Sequence, residues 1–393
     1  SARLSWFLVV FFLVYGSAHL YALCKAKWAL GFGWGTALAV VPVLAALTCG
    51  PLAVYYFARH GMEDTARAVS WIAYTWLGLL FFFLWMNLAV DLLNLAVRAA
   101  GAIAGSGAKG FLVAGRIPFF ALVGLSLAFG AYASFEARHP RVEHRRIETA
   151  KLPESTPRLR IVQISDVHLG LLVRHRDARE IVDRIRQADP DLVVSTGDLV
   201  DAEINHLEGL AEILREIRPR LGMYAITGNH EFYAGIGQAL AFTRRAGFTV
   251  LRGETATVGN VLRIAGVDDP AGAAMGETPG RTEAGLLGEA PAPLFTLLLK
   301  HRPRLDEGSR GRFDLQLSGH THFGQIFPFR FLVGIPYPLL SGLYPIPEGG
   351  ALYTSRGTGT WGPRMRFLTP PEITVLDIEQ AGGNSSRAGL RGE

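Results

Sequence analysis

Sulfur is scarce in this chain. Two cysteines, Cys24 and Cys49, stand among 393 residues, both in apolar stretches, so no thiolate set exists for a structural zinc site. Charge is sparse as well. Asp, Glu, Lys and Arg make up 19% of the residues and the net charge is +5. The arginines are dispersed and lack interleaved aromatics, which argues against a nucleic-acid partner. A phosphate loop is also missing. Gly105-Ser106-Gly107-Ala108-Lys109-Gly110 is rich in glycine. It misses the G-x-x-x-x-G-K-[ST] spacing and follows no strand, so it reads as an inter-helix loop.

Apolar side chains are abundant, at 49% with a mean hydropathy of +0.24. They crowd into residues 1–136, while charge dominates after 137. That asymmetry predicts a membrane part followed by a water-soluble part, and the length has room for both. A bilayer core takes about 20 apolar residues as helix. Four stretches qualify: Ser5–Cys24, Trp34–Phe57, Val69–Leu95 and Ile117–Phe135. The third contains Leu79–Trp85, which has no polar face at all and belongs in lipid or a large core. Trp28, Trp34, Trp71 and Tyr74 lie near segment ends, as interfacial anchors do. The first segment resembles a signal peptide, with Gly16-Ser17-Ala18 after an apolar run. Its apolar character continues to Leu23, which favours a retained helix. Four spans put eight Lys and Arg on the side of the C-terminal part against five on the other. The excess leans toward a cytoplasmic catalytic part, and one span more or fewer reverses it. Asp91 sits late in the third segment with Asn87 and Asn94 at helical spacing, and reads mainly as an interfacial residue.

Residues 137–158 carry Arg138, His139, Arg141, His144, Arg145 and Arg146, then Pro153 and Pro157. They read as a basic linker, a collar for anionic headgroups or a topology signal. From 159 to 380, short apolar runs alternate with amphipathic stretches. Asp177–Ala188, Leu207–Ile217 and Ala234–Ala246 read as helices, so the early half is β-α-β-α-β. Strand-like runs follow at Phe248–Arg252, Val261–Val267, Leu294–Leu299, Phe313–Leu317, Gly324–Phe327, Ala351–Ser355 and Glu372–Ile378. Residues 270–293 read as a loop with one short helix, Thr282–Leu287. The tail, residues 381–393, is polar and rich in Gly and Ser, so it is expected to be disordered.

Five apolar strands each run into metal-ligand side chains. Ile161–Ile164 precedes Asp166 and His168, Leu192–Ser195 precedes Asp198, and Met223–Ile226 precedes Asn229 and His230. Leu297–Leu299 precedes His301, and Leu315–Leu317 precedes His320 and His322. The carboxyl edge of such a sheet is where sites are built. Mixed imidazole and carboxylate ligands suit Mn, Fe or Zn. They are too many for one ion. Two ions about 3.5–4 Å apart, sharing one carboxylate, would use them all and make a bridging hydroxide near neutral pH. Gly197, Gly228 and Gly319 each precede a ligand, and glycine tolerates the sharp turn expected there.

At these residues the sequence resembles the calcineurin-like metallophosphoesterase superfamily, whose pattern is D-x-H, G-D, G-N-H-[ED], a lone H, then G-H-x-H. Asp166-Val167-His168, Gly197-Asp198, Gly228-Asn229-His230-Glu231, His301 and Gly319-His320-Thr321-His322 match every element in order. The resemblance covers about residues 159–380 and implies a four-layer α/β/β/α sandwich, here preceded by a four-helix transmembrane domain. It implies that Asp166, His168 and His322 hold one metal, that Asn229, His301 and His320 hold the other, and that Asp198 bridges. It leaves His230 as an imidazole that serves the leaving oxygen, with Asp201 orienting it. His19, His60, His139, His144, His175 and His206 stand outside the pattern and read as core or surface residues.

The His301-Arg302-Pro303 context and the stretch Ser355–Thr360 look like the bacterial membrane-anchored branch, which includes enzymes similar to UDP-diacylglucosamine pyrophosphatases. Arg302 and Arg356 are candidates for a second phosphate. The expected protein is a multi-pass enzyme of a bacterial inner membrane. It would hydrolyse a phosphoester or pyrophosphate bond of a lipid with two divalent metals, manganese first. The alternatives are a tethered phosphodiesterase or phosphatase of a soluble nucleotide and a non-catalytic membrane sensor. The sequence assigns no oligomeric state.

Overall fold

The computed structural model describes residues 2–105, 109–202, 207–278, 280–289 and 292–381. The expected disordered tail, His206 and the centre of the Gly105–Gly110 loop lie outside them. The chain divides into a first unit running to Phe135, with Gly362–Met365 grouped to it, and a second that begins at Glu136.

The first unit is helical: α1 (Ala2–Leu30), α2 (Trp34–Thr48), α3 (Gly50–Arg59), α4 (Glu63–Ile103) and α5 (Arg116–Glu136). Three of these, α1, α4 and α5, are long and apolar enough to cross a membrane. The second expected span is a pair instead, α2 and α3, bent by 45° at Cys49. Pro51 in the first turn of α3 has no N–H to continue the α2 ladder. If the pair is one span the number is four. Small residues let helices approach: a Cβ on Gly50 would meet the Ala73 Cβ at 2.6 Å. His19 is a satisfied core residue. Its Nδ1 lies 2.8 Å from the Tyr15 carbonyl, and Trp76 Nε1 donates to its Nε2 at 2.8 Å.

Among the described residues the second unit has strands β1 (Arg141–Thr149), β2 (Arg158–Ile164), β3 (Leu192–Ser195), β4 (Met223–Ala225), β5 (Phe248–Val250) and β6 (Glu254–Val258). They continue with β7 (Leu262–Gly266), β8 (Phe295–Leu299), β9 (Leu315–Ser318), β10 (Gly342–Pro345), β11 (Ala351–Thr354) and β12 (Glu372–Gln380). The helices are α6 (His175–Gln187), α7 (Leu210–Leu214), α8 (Asn229–Ala234), α9 (Ile236–Arg245), α10 (Ala271–Ala274), α11 (Glu283–Leu287) and α12 (Arg330–Val333). One sheet has the order β1-β12-β2-β3-β4-β5 and the other β10-β11-β9-β8-β7-β6.

Alternation along the strands sorts the core into layers. Val162 and Ile164 of β2 face Ile181, Ile185, Leu210 and Phe242 of α6, α7 and α9. Leu159 and Ile161 face the other way, with Leu297 and Leu299 of β8 and Leu315 and Leu317 of β9. Leu298 turns outward to Leu286 and Leu287 of α11. Helices, sheet, sheet and helix therefore stack around two facing sheets. The parallel run β2-β3-β4-β5 confirms the β-α-β-α-β reading.

Two expectations fail. Residues 137–158 are not a plain linker, because β1 pairs in parallel with β12 from Arg141 opposite Glu372 to Thr149 opposite Gln380. Its charges fit an edge strand, where they blunt aggregation. Arg146 pairs with Glu379 at 3.2 Å, and Glu143 takes Arg356 at 2.6 Å. Gly324–Phe327 is not a strand. His322, Phe323, Gly324 and Gln325 all have positive φ, a left-handed backbone that cannot run on as a strand and makes a tight turn there instead.

Candidate metal centre

All five ligand-bearing segments leave the same edge. β2, β3 and β4 deliver Asp166, His168, Asp198, Asn229 and His230, while β8 and β9 of the facing sheet deliver His301, His320 and His322. Gln163 ties the two sheets beneath them, donating to Thr196 Oγ1 at 2.9 Å and to the Ser318 carbonyl at 3.0 Å.

Three groups of ligand atoms lie close together among the described residues. Asp166, His168 and His322 can share one ion, Asp198, His301 and His320 another, and His168, Asp198 and His230 form a third group that overlaps the first two. In the first, His168 Nε2 and His322 Nε2 are 3.1 Å apart, and Asp166 Oδ1 is 3.5 Å from the latter. In the second, His320 Nδ1 and His301 Nε2 are 3.1 Å apart. Asp198 Oδ2 joins them, 3.3 Å from His301 Nε2 and 3.8 Å from His168 Nε2.

The far side of the His301 ring fixes which of its nitrogens is free. His301 Nδ1 donates to the Thr196 carbonyl at 2.8 Å, leaving Nε2 bare. His320 Nε2 lies 3.1 Å from Tyr337 Oη, which turns Nδ1 toward His301. Asp166 is held by Ser165 Oγ at 2.5 Å and by the His320 N–H at 3.0 Å.

The donor set asks for cations. Asp166 and Asp198 are buried, and among the described residues neither pairs with Lys or Arg. Burial pushes the His168 pKa down to about 4, and it likewise drives His320 and His322 down, so these rings stay neutral, the form that ligates. Burial opposes charge on His301 too, but Asp198 and Asp166 outweigh it and hold the pKa well above the ordinary value. The carboxylates draw positive charge onto that ring, charge that a bound metal would supply in place of the proton on Nε2. Asn229 Oδ1 is buried with no hydrogen-bond partner, an acceptor left without a donor. The residues fit a pair of divalent metals.

Strain concentrates here. Asp166, His168, Asp198, His320 and His322 all sit at φ between 49° and 69°. The glycines serve a purpose the sequence reading misassigned in part. Gly197 does take φ +96, but Gly228 is at an ordinary φ of −99. Its need is space: a Cβ there would meet Asp198 Oδ1 at 2.1 Å, and one on Gly319 would meet Asp166 Oδ2 at 2.2 Å.

His230 stands beside both groups. Its backbone N–H donates to Asp198 Oδ1 at 2.8 Å, and Nδ1 lies 2.9 Å from Asp201 Oδ1. Burial opposes its charge, but Asp198 and Asp201 outweigh it and raise the pKa to about 9. Tyr233 and Trp361 flank the ring, with centroids at 5.4 and 6.1 Å.

Two supports escaped the sequence reading. Glu231 accepts backbone N–H bonds from Asp198 at 3.0 Å, Leu199 at 2.8 Å and Gly228 at 2.7 Å, joining the turns after β3 and β4. The motif contains this position but not its job. Arg366 is fully buried and donates to the carbonyls of His322, Arg356 and Gly359. Only its burial reveals it, and no sequence pattern marks that. Arg302 and Arg356 are committed elsewhere: Arg302 forks onto Asp269 at 2.7 and 2.8 Å, and Arg356 pairs with Glu143 and with Glu372 at 3.0 Å.

This arrangement has relatives. The calcineurin-like phosphoesterase family matches residues 159–324. A protein of Aquifex aeolicus described as an uncharacterized metallophosphoesterase is 40% identical over 260 residues, 66% of this chain and 99% of that protein. Another from Campylobacter jejuni is 32% identical over 75% of this chain and 77% of its own length. A Danio rerio transmembrane protein with metallophosphoesterase domain is 36% identical over 62% of this chain, a match spanning 59% of that protein. The chain belongs to the calcineurin-like metallophosphoesterases. It is a metal-dependent phosphoesterase, and its apolar helices together with such relatives indicate a membrane protein.

Proposed function

We propose that the chain is a membrane-integrated, two-metal phosphoesterase that hydrolyses a phosphoester or pyrophosphate bond of a lipid-linked substrate. The carrying observation is the position of Asp198 Oδ2, shared between the two ligand groups. Asp166, His168 and His322 would hold one ion, Asn229, His301 and His320 the other, and Asp198 both. Bound divalent metals, with manganese the first candidate, supply Lewis-acid charge and a water of lowered pKa. The protein's own contribution is positional. Burial and the backbone bonds to Asp166 and Asp198 hold the ligands in place and exclude bulk water. The His230 ring keeps a proton near neutral pH for the departing oxygen, and Asp201 aims it through Nδ1.

The lipid substrate rests on the long apolar helices and on the relatives from Danio rerio and Bos taurus described as transmembrane proteins. A four-span count favours a cytoplasmic catalytic unit. The test is hydrolysis of bis(p-nitrophenyl) phosphate by the purified chain with Mn²⁺. Asp198→Asn should abolish it, and unchanged activity in that variant would end the proposal. A truncation separates lipid from soluble substrates. It must end before Arg141, because a cut at residue 150 removes β1. Equal turnover of the native substrate by the shortened chain favours a soluble one.

A further inference from the structure

We propose that the helical unit has a binding site of its own, for the phosphate-type anionic headgroup of a membrane lipid. A cavity of about 330 Å³ lies between α1, α4 and the start of α5. That is headgroup size, at the low end of small-ligand pockets. Helical spacing builds its walls. Tyr21 and Lys25 are four apart on α1, and Asp91, Asn94 and Arg98 share one face of α4.

Its polar groups do not balance. Each Asp91 oxygen is taken, Oδ2 by Tyr21 Oη at 2.6 Å and Oδ1 by Lys25 Nζ. Asn94 is consumed by the backbone of Val113, donating to its carbonyl at 2.9 Å and accepting from its N–H at 2.8 Å. Arg98 remains. It has no ion pair or hydrogen bond among the described residues, and it lines the same cavity. The site is left with one exposed guanidinium that shares the field of Asp91 but makes no hydrogen bond, spare Lys25 protons and no free carboxylate oxygen, one positive charge in excess, which suits an anion. A guanidinium fork matches phosphate oxygens in pairs. The first turn of α5, through Gly115 and Pro118, faces the cavity with the positive end of a 21-residue helix.

The neighbours identify the source. Leu95 on α4 and Ile117 on α5 are 62% and 85% exposed beside the polar lining. A lipid lays its headgroup in the polar recess and its chains along that apolar surface, and a free phosphate uses only the recess. Charge kept among apolar helices is costly and persists where it has a task.

The test is native mass spectrometry of the full-length chain in non-ionic detergent, titrated with phosphatidylglycerol, phosphatidylcholine or glycerol 3-phosphate. The expected result is saturable retention of one phosphatidylglycerol, at least tenfold tighter than phosphatidylcholine. Arg98→Gln should weaken it at least tenfold, and Arg98→Lys should restore part of the loss. Lys27→Gln is the control. That ammonium sits over the Trp34 ring at 4.6 Å and does not line the cavity, so binding should stay within twofold. Equal retention of both lipids, no change in Arg98→Gln, or an equal loss in Lys27→Gln overturns the site. Glycerol 3-phosphate bound as tightly as the lipid, with the same dependence on Arg98, keeps the anion site and overturns its lipid source.

Discussion

Gly228→Ala separates two reasons for a glycine beside a metal ligand. The backbone at this position has φ −99 and ψ −166, which alanine adopts freely, so no conformational penalty arises. The effect must come from the methyl group. It would sit 2.1 Å from Asp198 Oδ1 and 2.7 Å from Asp198 Cγ, where ordinary contact begins at 3.4 Å. The carboxylate would have to move by roughly 1 Å, and metal sites tolerate about 0.2 Å. It has little freedom to do so. Oδ1 accepts the His230 N–H, and the Asp198 backbone is bonded to Glu231. Overpacking of this kind costs about 1–3 kcal/mol. For a domain of this size that lowers Tm by about 2–12 °C. The functional loss should be larger in proportion, because a ligand misplaced by about 1 Å costs on the order of 100-fold in rate. The measurements are metal content per folded chain, Tm by calorimetry, and hydrolysis of bis(p-nitrophenyl) phosphate. The expected variant is folded, depleted in metal and at least 100-fold slower. Full metal content with activity within twofold of the parent would refute the assignment of Asp198 as the shared ligand in this geometry.

Glu231→Gln should cost about 2–4 kcal/mol, read in a urea titration. An amide NH₂ would face two of the backbone N–H groups that the carboxylate now accepts, leaving buried donors unpaired. Loss under 0.5 kcal/mol would contradict the bracing role. Asp377→Asn tests the edge of the first sheet through pH. Burial opposes ionisation of Asp377, but its bonds to Arg160 at 2.8 Å and Arg158 at 2.8 Å outweigh it and lower the folded pKa. The lowered pKa makes its stabilisation complete above the ordinary carboxylate range and lost as pH falls through the folded value. Wild type should therefore exceed the variant by about 1–3 kcal/mol at pH 7, and the two should converge in acid once the pH is below the lowered folded value. A gap that persists in acid defeats that account.

The ligands were legible because metal chemistry restricts residue type and β-strands restrict place. An apolar run of four or five residues followed by Asp, His or Asn marks both, and Asp166, Asp198, Asn229, His301 and His320 were found that way. Long apolar helices were legible for a similar reason, since lipid demands an unbroken stretch. The bend at Cys49 was missed although Gly50-Pro51 is a breaker signal, because an apolar count over Trp34–Phe57 runs straight through those two residues. Strand β1 was hidden by its charges. Edge strands carry Arg and Glu on exposed positions, and the pattern of Arg141–Thr149 is then indistinguishable from a basic tether until β12 is placed beside it. The 3₁₀ turn at His322–Gly324 was hidden because positive φ at His322 and Phe323 is imposed by the site and no residue preference signals it.

Two facing sheets explain why strain and ligands coincide. A site made on one sheet can take its side chains from ordinary strand ends. Here β2 to β4 and β8 to β9 belong to different layers, and their carboxyl ends must bend toward each other to close on the same ions. The bend falls on the ligand residues themselves, which is why five of them are left-handed while their flanking glycines mainly clear space. Such conformations cost about 1–3 kcal/mol each. They persist because Gln163, Glu231 and Arg366 tie neighbouring turns with buried hydrogen bonds. None of these three touches a ligand position in the motif pattern by chemistry that a metal would select. Gln163 and Arg366 follow from the gaps that the bent turns leave and become visible only in the folded chain, whereas Glu231 stands in the motif and only its bracing role does; loss of any of the three should loosen metal before it unfolds the sheets.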